Sequence, residues 1–163
     1  MDRDELAEQL IATWRRHNEI LLYLLKAIPE RGLRAVPAAS RGRMVAEQFA
    51  HLDGVRRGWL YFHETGRRAK REPIEKGKPP SRAQLARRLT ASGRDVERFI
   101  VRAVREDVRP RLFGRQLVRW IGYLIAHESH HRGQMMLALK QNGERLPERV
   151  ALQGLWGKWI FGR

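Results

Sequence analysis

The sequence predicts an all-α protein, a four-helix bundle followed by a short C-terminal helix. Two observations support this fold class. Apolar residues recur at spacings of three and four along four long segments, which is the period of an amphipathic helix. No segment shows a sustained two-residue alternation, so no sheet is expected. Helices of similar length with one apolar stripe each bury those stripes most simply against one another in a bundle.

The first two helices are predicted from their apolar stripes and from the residues that end them. Residues 5–28 form the first helix, which stops at Pro29 and Gly32. Its inward stripe is Leu6, Leu10, Trp14, His17, Leu21, Leu24 and Ile28. Residues 43–64 form the second helix, and Gly66 follows as a stop signal. Its inward stripe is Met44, Gln48, His51, Val55, Trp59 and Phe62.

The second half of the chain follows the same pattern after a basic connection. Residues 67–80 are rich in Lys, Arg and Pro, which predicts a mobile connection long enough for a crossover. The third helix is expected from a cap at Ser81 to Arg105, and the fourth covers residues 115–141. The Trp-containing tail, residues 150–163, predicts a short amphipathic helix that caps the bundle or joins a subunit interface. We therefore expect one domain over the whole chain.

Composition limits the classes of function. The absence of cysteine excludes disulfides, thiolate zinc sites and cysteine nucleophiles. No apolar run approaches the roughly 18 residues that span a bilayer, and the acidic start does not resemble a signal peptide, so we expect a cytoplasmic protein without a membrane role. The net charge of +15 makes nucleic acid an alternative partner. No helix-turn-helix, zinc-finger or RNA-binding motif supports that partner.

Histidines carry the chemistry that the sequence suggests. His127 and His131 are four residues apart in the fourth helix, so they lie about 40° apart on one face, where two imidazoles can reach one cation. His51 lies on the inward stripe of the second helix. Together the three would form an open metal site with positions left for water or substrate. Hydrogen-bonded core histidines are the alternative, because burying imidazoles without partners is costly.

The other histidines are assigned different roles. His17 lies on an inward stripe, where it is either a fourth ligand, a residue that supports a ligand or, as we expect, a core-edge histidine bonded to a carbonyl. His63 is about 120° round the helix from His51, and His130 is about 100° from His131, so neither is expected to bind the ion.

A second motif overlaps the histidine pair. Residues 127–131 satisfy H-E-x-x-H, the helix signature of zinc proteases, in which Glu128 would be the general base. The surrounding sequence argues against a protease. The extended motif needs Gly three residues after the second His and another His three further on, but Gly133 lies at plus two and position 137 is Leu. No strand is predicted that could hold a peptide.

Several short segments together form a recognisable pattern. They are Trp14 and Asn18, residues 46–52, residues 126–134, residues 139–143, and Pro147 with the Trp-containing tail. In this pattern the sequence resembles the DinB/YfiT-like family of metal-binding four-helix bundles over nearly its whole length. The His-x3-His-Arg-Gly-Gln stretch from His127 is the most specific part.

The resemblance implies a usually dimeric bundle with a crossover between the second and third helices. Its metal ligands would be His51, His127 and His131, and the divalent ion would be zinc, nickel or iron. It also implies a low-molecular-weight thiol as co-substrate, since characterised relatives include thiol S-transferases and a thiol-dependent isomerase. The strong positive charge is not part of the family pattern and leaves room for an anionic substrate or partner.

Two residues near these histidines are candidates for catalysis and substrate binding. Glu47, one turn before His51, would orient that histidine or take a proton. Gln134, three residues after His131, would donate to a small-molecule substrate. Arg56 and Arg132 are candidates to steer an anion.

Three hypotheses about function follow from these residues. The leading one is a metal-dependent enzyme, either a thiol S-transferase or a metal-water hydrolase. Three neutral imidazoles would leave the ion its full double charge, so it would lower the pKa of a bound thiol or water. A non-enzymatic metal- or ligand-binding stress protein is the alternative, and a basic nucleic-acid-binding module is the third.

Overall fold

Four long helices form the body of the protein in a computed structural model that describes residues 3–38, 42–70 and 78–162. They are α1 (Arg3–Ala27), α2 (Val45–Thr65), α3 (Arg82–Arg105) and α4 (Leu117–Gln141). A π-helical segment, Val150–Trp156, leads into the short helix α5 (Gly157–Phe161). The described residues contain no strand, so the all-α prediction is confirmed. Each end of the four long helices lies within two residues of its predicted position.

Helices α1 and α3 run antiparallel. The Trp14 indole, in the first half of α1, donates to the carbonyl of Gly93 in the middle of α3 at 2.8 Å. Arg82 at the start of α3 donates to the carbonyl of Leu25 near the end of α1. The α3 helix begins where the sequence predicted, because the Ser81 hydroxyl accepts from the Gln84 amide as an N-terminal cap.

Helices α2 and α3 run parallel. The Arg88 guanidinium donates to Asp53 at 3.0 Å. About three turns further along both helices, the His63 and Phe99 rings lie 5.2 Å apart. The chain must therefore cross from one end of the bundle to the other between them, as expected for a crossover. Residues 71–77 of the predicted basic connection lie outside the described residues.

The interior consists of two apolar clusters with a polar layer between them. One cluster includes Leu24, Phe49, Leu85 and Met135. The other includes Trp14, Val96, Phe99, Trp120 and Leu124. The polar layer is made by His17, Asn18, Arg56 and Glu128, which fall between the two clusters along α1, α2 and α4. The core is therefore interrupted at mid-height by charged and polar side chains.

The predicted inward stripe of α2 was wrong at most positions, although Gln48 is buried as predicted. The side chains that the core covers are Phe49, Leu52, Asp53, Arg56 and His63. The predicted residues His51, Val55, Trp59 and Phe62 are only half-buried. Two members of the true core face are charged, so a search for apolar residues selects the neighbouring face instead. In α1, Leu6 is also exposed, at 37%, although it was placed on the inward stripe.

The C-terminal segment packs along α1, which confirms the predicted short helix. Lys158 pairs with Glu19 at 2.8 Å, and the Arg16 guanidinium donates to the Gly162 carbonyl at 2.7 Å. Leu152, Trp156, Ile160 and Phe161 remain exposed. Within the described residues, every helix is too short or too polar to pass through a lipid bilayer.

Gly93 lies where α1 and α3 approach each other closely. A Cβ at this position would come within 2.5 Å of Asn18 Nδ2, and Asn18 itself accepts from the Arg56 guanidinium. We expect Gly93→Ala to lower the free energy of unfolding by about 1–3 kcal/mol, because α1 or the polar layer must shift. Urea unfolding measures the loss. Gly122→Ala is the matched control, since a Cβ at Gly122 in α4 would meet no neighbouring atom within 4 Å. Equal or greater stability of Gly93→Ala would contradict the close approach.

Candidate metal centre

Three histidines from two helices meet on the side of the bundle where α2 packs against α4. One ring nitrogen from each of His51, His127 and His131 lies within 4.8 Å of the others. The ring centroids are 4.7 Å apart for the α4 pair, and His51 lies 5.5 Å from His127 and 4.9 Å from His131. The four-residue spacing stacks the α4 pair on successive turns. The structure thus brings together the three residues proposed as ligands from the sequence.

The protonation state of this group suits a metal ion. Burial lowers the pKa of His127, and burial together with the positive charges nearby lowers the pKa of His131 to about 4. Both rings are therefore neutral near pH 7, so each has a nitrogen lone pair available to a cation. His127 Nδ1 is also buried without a hydrogen-bond partner among the described residues. Such an atom needs an ion or a water molecule to satisfy it.

Gln48 and Tyr123 support the histidines. The Gln48 side-chain oxygen lies 3.3 Å from His131 Nδ1, and it accepts from this nitrogen when the proton is there. That bond would leave Nε2 free for a ligand and fix the orientation of the ring. The Tyr123 ring stacks on His127 at 5.7 Å. Sequence analysis placed Gln48 on an inward stripe without a role; its position one turn before His51 was the available signal.

Glu47 lies at the N-terminus of α2. Its carboxylate accepts from the Met44 amide at 2.8 Å and so caps the helix. The side chain is buried, one turn from His51. Its proposed part in orienting His51 or taking a proton stays a prediction.

Gln134 lies on the exposed side of α4. Its amide nitrogen is 2.9 Å from His130 Nε2, and the side chain lines a cleft that also contains His131. Binding of a substrate by Gln134 stays a prediction.

The remaining histidines do not belong to the three-histidine group among the described residues. His17 is completely buried, and its Nε2 lies 2.8 Å from a Glu128 oxygen. The expectation that His17 is a core-edge histidine bonded to a carbonyl was wrong, since it is fully buried and its partner is a carboxylate. His63 accepts from the Arg111 amide at 3.3 Å, and His130 is exposed.

A buried ion pair forms the centre of the polar layer. The Arg56 guanidinium donates to both Glu128 oxygens, at 2.6 and 2.7 Å, and also to Asn18 and to the Leu89 carbonyl. It lies 4.8 Å from the Trp14 ring centroid. Sequence analysis did not find this pair, because its two members are 72 residues apart.

The ion pair rules out two roles considered from the sequence. Despite its burial, the pKa of Glu128 is lowered to about 2 by Arg56 and His17. Both carboxylate oxygens are engaged, so Glu128 is not placed to act as the general base of a protease. Arg56 is completely buried and cannot attract a ligand from solvent.

The fold and the site define a helical-bundle protein with a candidate three-histidine metal centre. The family model described as DinB family matches residues 1–158, so the chain belongs to the DinB family. This confirms the resemblance seen in the sequence. No curated protein matches the chain significantly.

Proposed function

We propose that the protein binds a divalent metal ion through His51, His127 and His131 and is a metal-dependent, low-molecular-weight-thiol S-transferase. The convergence of the three imidazoles carries the proposal, because their nitrogens lie within 4.8 Å of one another. Membership of the DinB family supports it. Imidazole ligands accept several ions, so zinc, nickel and iron are all compatible with this donor set.

The residues around the ligands fit this chemistry. A divalent ion bound here would supply a Lewis acid that lowers the pKa of a thiol or of water. The three imidazoles add no negative charge, and Gln48 orients one of them through its side-chain oxygen. Beside His127, the half-buried rings of Tyr123 and Trp59 lie 5.7 Å apart and form an aromatic wall. This wall would hold the apolar part of an electrophile close to the ligands.

Two further proposals come from the sequence analysis. The first is that the protein is a homodimer, and the second is that it works in the cytoplasm. Size-exclusion chromatography with light scattering tests the first. Nucleic acid stays a proposal with no supporting motif, and the loss of any band shift at moderate salt would remove it.

Metal analysis tests the proposed centre directly. We expect about one equivalent of zinc, nickel or iron in the purified, tag-free protein, because the site offers one set of three imidazoles. The His127→Ala/His131→Ala double variant should contain none. Circular dichroism checks that the variant keeps its helices. A parent without metal, even after reconstitution with each ion, would contradict the proposal.

Turnover separates the enzyme from a non-enzymatic metal-binding protein. The metal-loaded protein is incubated with small thiols and a panel of electrophiles, and thioether formation is measured. We expect turnover that is lost in the double variant. Bound metal with no turnover across the panel would favour the non-enzymatic alternative.

A further inference from the structure

A cleft of about 340 Å³ opens directly beside the candidate metal centre. The segment before α2, with Pro37 and Arg43, forms one side, and α4, with His131 and Leu137, forms the other. Because His131 is shared, a molecule in the cleft would reach the metal ligands. The volume is that of a small organic molecule.

The cleft is positively charged. Arg43 is the one residue with a formal charge among the described residues that line it, and no carboxylate is among them. Among those same described parts of the chain, Arg43 has no ion-pair partner, and its side chain is exposed. An anion in the cleft would therefore meet a free guanidinium.

Gln48 lies between the backbone of Arg43 and one of the histidines. Its amide nitrogen lies 3.5 Å from the Arg43 carbonyl, and its oxygen lies 3.3 Å from His131 Nδ1. One side chain therefore spans from the base of Arg43 to a metal ligand. Because Arg43 and His131 both line the cleft, a molecule bound there could contact the guanidinium and the metal centre together.

We infer that this cleft binds small molecules that carry a carboxylate at one end and a thiol sulfur at the other, with the carboxylate on Arg43. This inference rests on the proposed function and names the class of its thiol substrate. Guanidinium matches carboxylate geometry, since it donates two parallel hydrogen bonds. Pro37 and Leu137 provide apolar contacts for the carbon chain between the two ends.

A pair of thiols that differ in the carboxylate tests the inference. Isothermal titration calorimetry with the zinc-loaded protein compares 3-mercaptopropionate with 2-mercaptoethanol. We expect the carboxylate thiol to bind about tenfold more tightly, as a charge-assisted hydrogen bond allows. In Arg43→Gln the two thiols should bind about equally, and the affinity for 2-mercaptoethanol should be unchanged. Arg94→Gln, an exposed arginine of α3, removes the same charge elsewhere and should keep the preference.

A second experiment, on the metal-free protein, tests the inference independently of the proposed function. Propionate, which has no sulfur, is titrated into the metal-free protein while side-chain resonances of Arg43 and Gln134 are followed by NMR. We expect shifts that are absent in Arg43→Gln. If the parent binds no zinc, the proposed function fails, but the propionate titration still tests whether the cleft binds a carboxylate. Equal thiol affinities in the parent, a preference that survives Arg43→Gln, or no response to propionate would overturn it.

Discussion

Glu128→Gln is expected to lower the free energy of unfolding by about 3–5 kcal/mol. The substitution keeps the size of the side chain but removes the negative charge that both Arg56 and His17 face. Arg56 is completely buried, so its positive charge would stay in the core without a counter-charge. Urea unfolding at pH 7 with detection by circular dichroism measures the loss.

A surface pair provides the matched control for this experiment. Arg15 and Glu97 also form a two-bonded ion pair between helices, but the Arg15 side chain is 64% exposed. Glu97→Gln should therefore cost less than about 1 kcal/mol. Equal losses in Glu97→Gln and Glu128→Gln would show that burial does not determine the effect and would contradict the prediction.

A double replacement keeps the prediction testable if Glu128→Gln does not fold. Arg56→Met/Glu128→Leu removes both charges and fills their space with apolar atoms. We expect it to be more stable than Glu128→Gln, since apolar replacement of a whole buried pair is often neutral or stabilising. A double variant that also fails to fold would show that the remaining partners, His17 and Asn18, require the pair.

Acid should weaken the same ion pair in the parent. The folded-state pKa of Glu128 is lowered to about 2 from an ordinary value of 4.5. A carboxylate with a depressed pKa stabilises the fold fully above its unfolded value and loses that contribution as the pH falls through the folded value. The parent should thus lose this stabilisation between about pH 4.5 and 2.

Zinc should stabilise the folded protein, which is the second large effect expected. At free zinc 100 times the dissociation constant, the free energy of unfolding should rise by about 2.7 kcal/mol, and at 1,000 times by about 4.1 kcal/mol. His131→Ala should abolish the increase, because it removes one of the three ligands. Unfolding is followed by urea titration with zinc and with a chelator.

His130→Ala is the control for the zinc experiment. His130 is the exposed neighbour of His131 on α4 and does not belong to the three-histidine group. Its variant should be stabilised as much as the parent. An equal increase in His131→Ala would show that zinc binds elsewhere, and no increase in the parent would contradict the site.

The helices and the histidine group were predictable because they depend on local spacing. A period of 3.6 residues marks each helix, and a separation of four residues fixes His127 and His131 on one face. The polar layer was not predictable in this way. Periodicity measures where apolar residues recur and does not reveal which charge pairs with which. Arg56 and Glu128 were therefore considered only as an anion-steering residue and a protease general base, and the core face of α2 was misplaced.

The sequence correctly grouped His51 with the other two histidines but misjudged its burial, and the reason is physical. His51 was expected on the core face, yet it is half-buried at the edge of the contact between α2 and α4. A metal site that exchanges ligands with solvent needs such an edge position, because a fully buried ligand set would be closed. Gln48 was missed because a glutamine near a helix start has many ordinary roles, and only the distance to His131 distinguishes this one.

The division of the core into two apolar clusters has a consequence for how the helices are aligned. Contacts between aliphatic side chains are non-directional, so two apolar clusters alone would tolerate a slide of one helix along another. A slide of α4 by one turn, about 5.4 Å, would separate Glu128 from Arg56 and strand both charges in the interior. The ion pair thus selects a single register between α2 and α4. His127 directly precedes Glu128 in α4. The register that the ion pair selects therefore also sets the distance from His51 to His127 and His131, without the help of a metal ion.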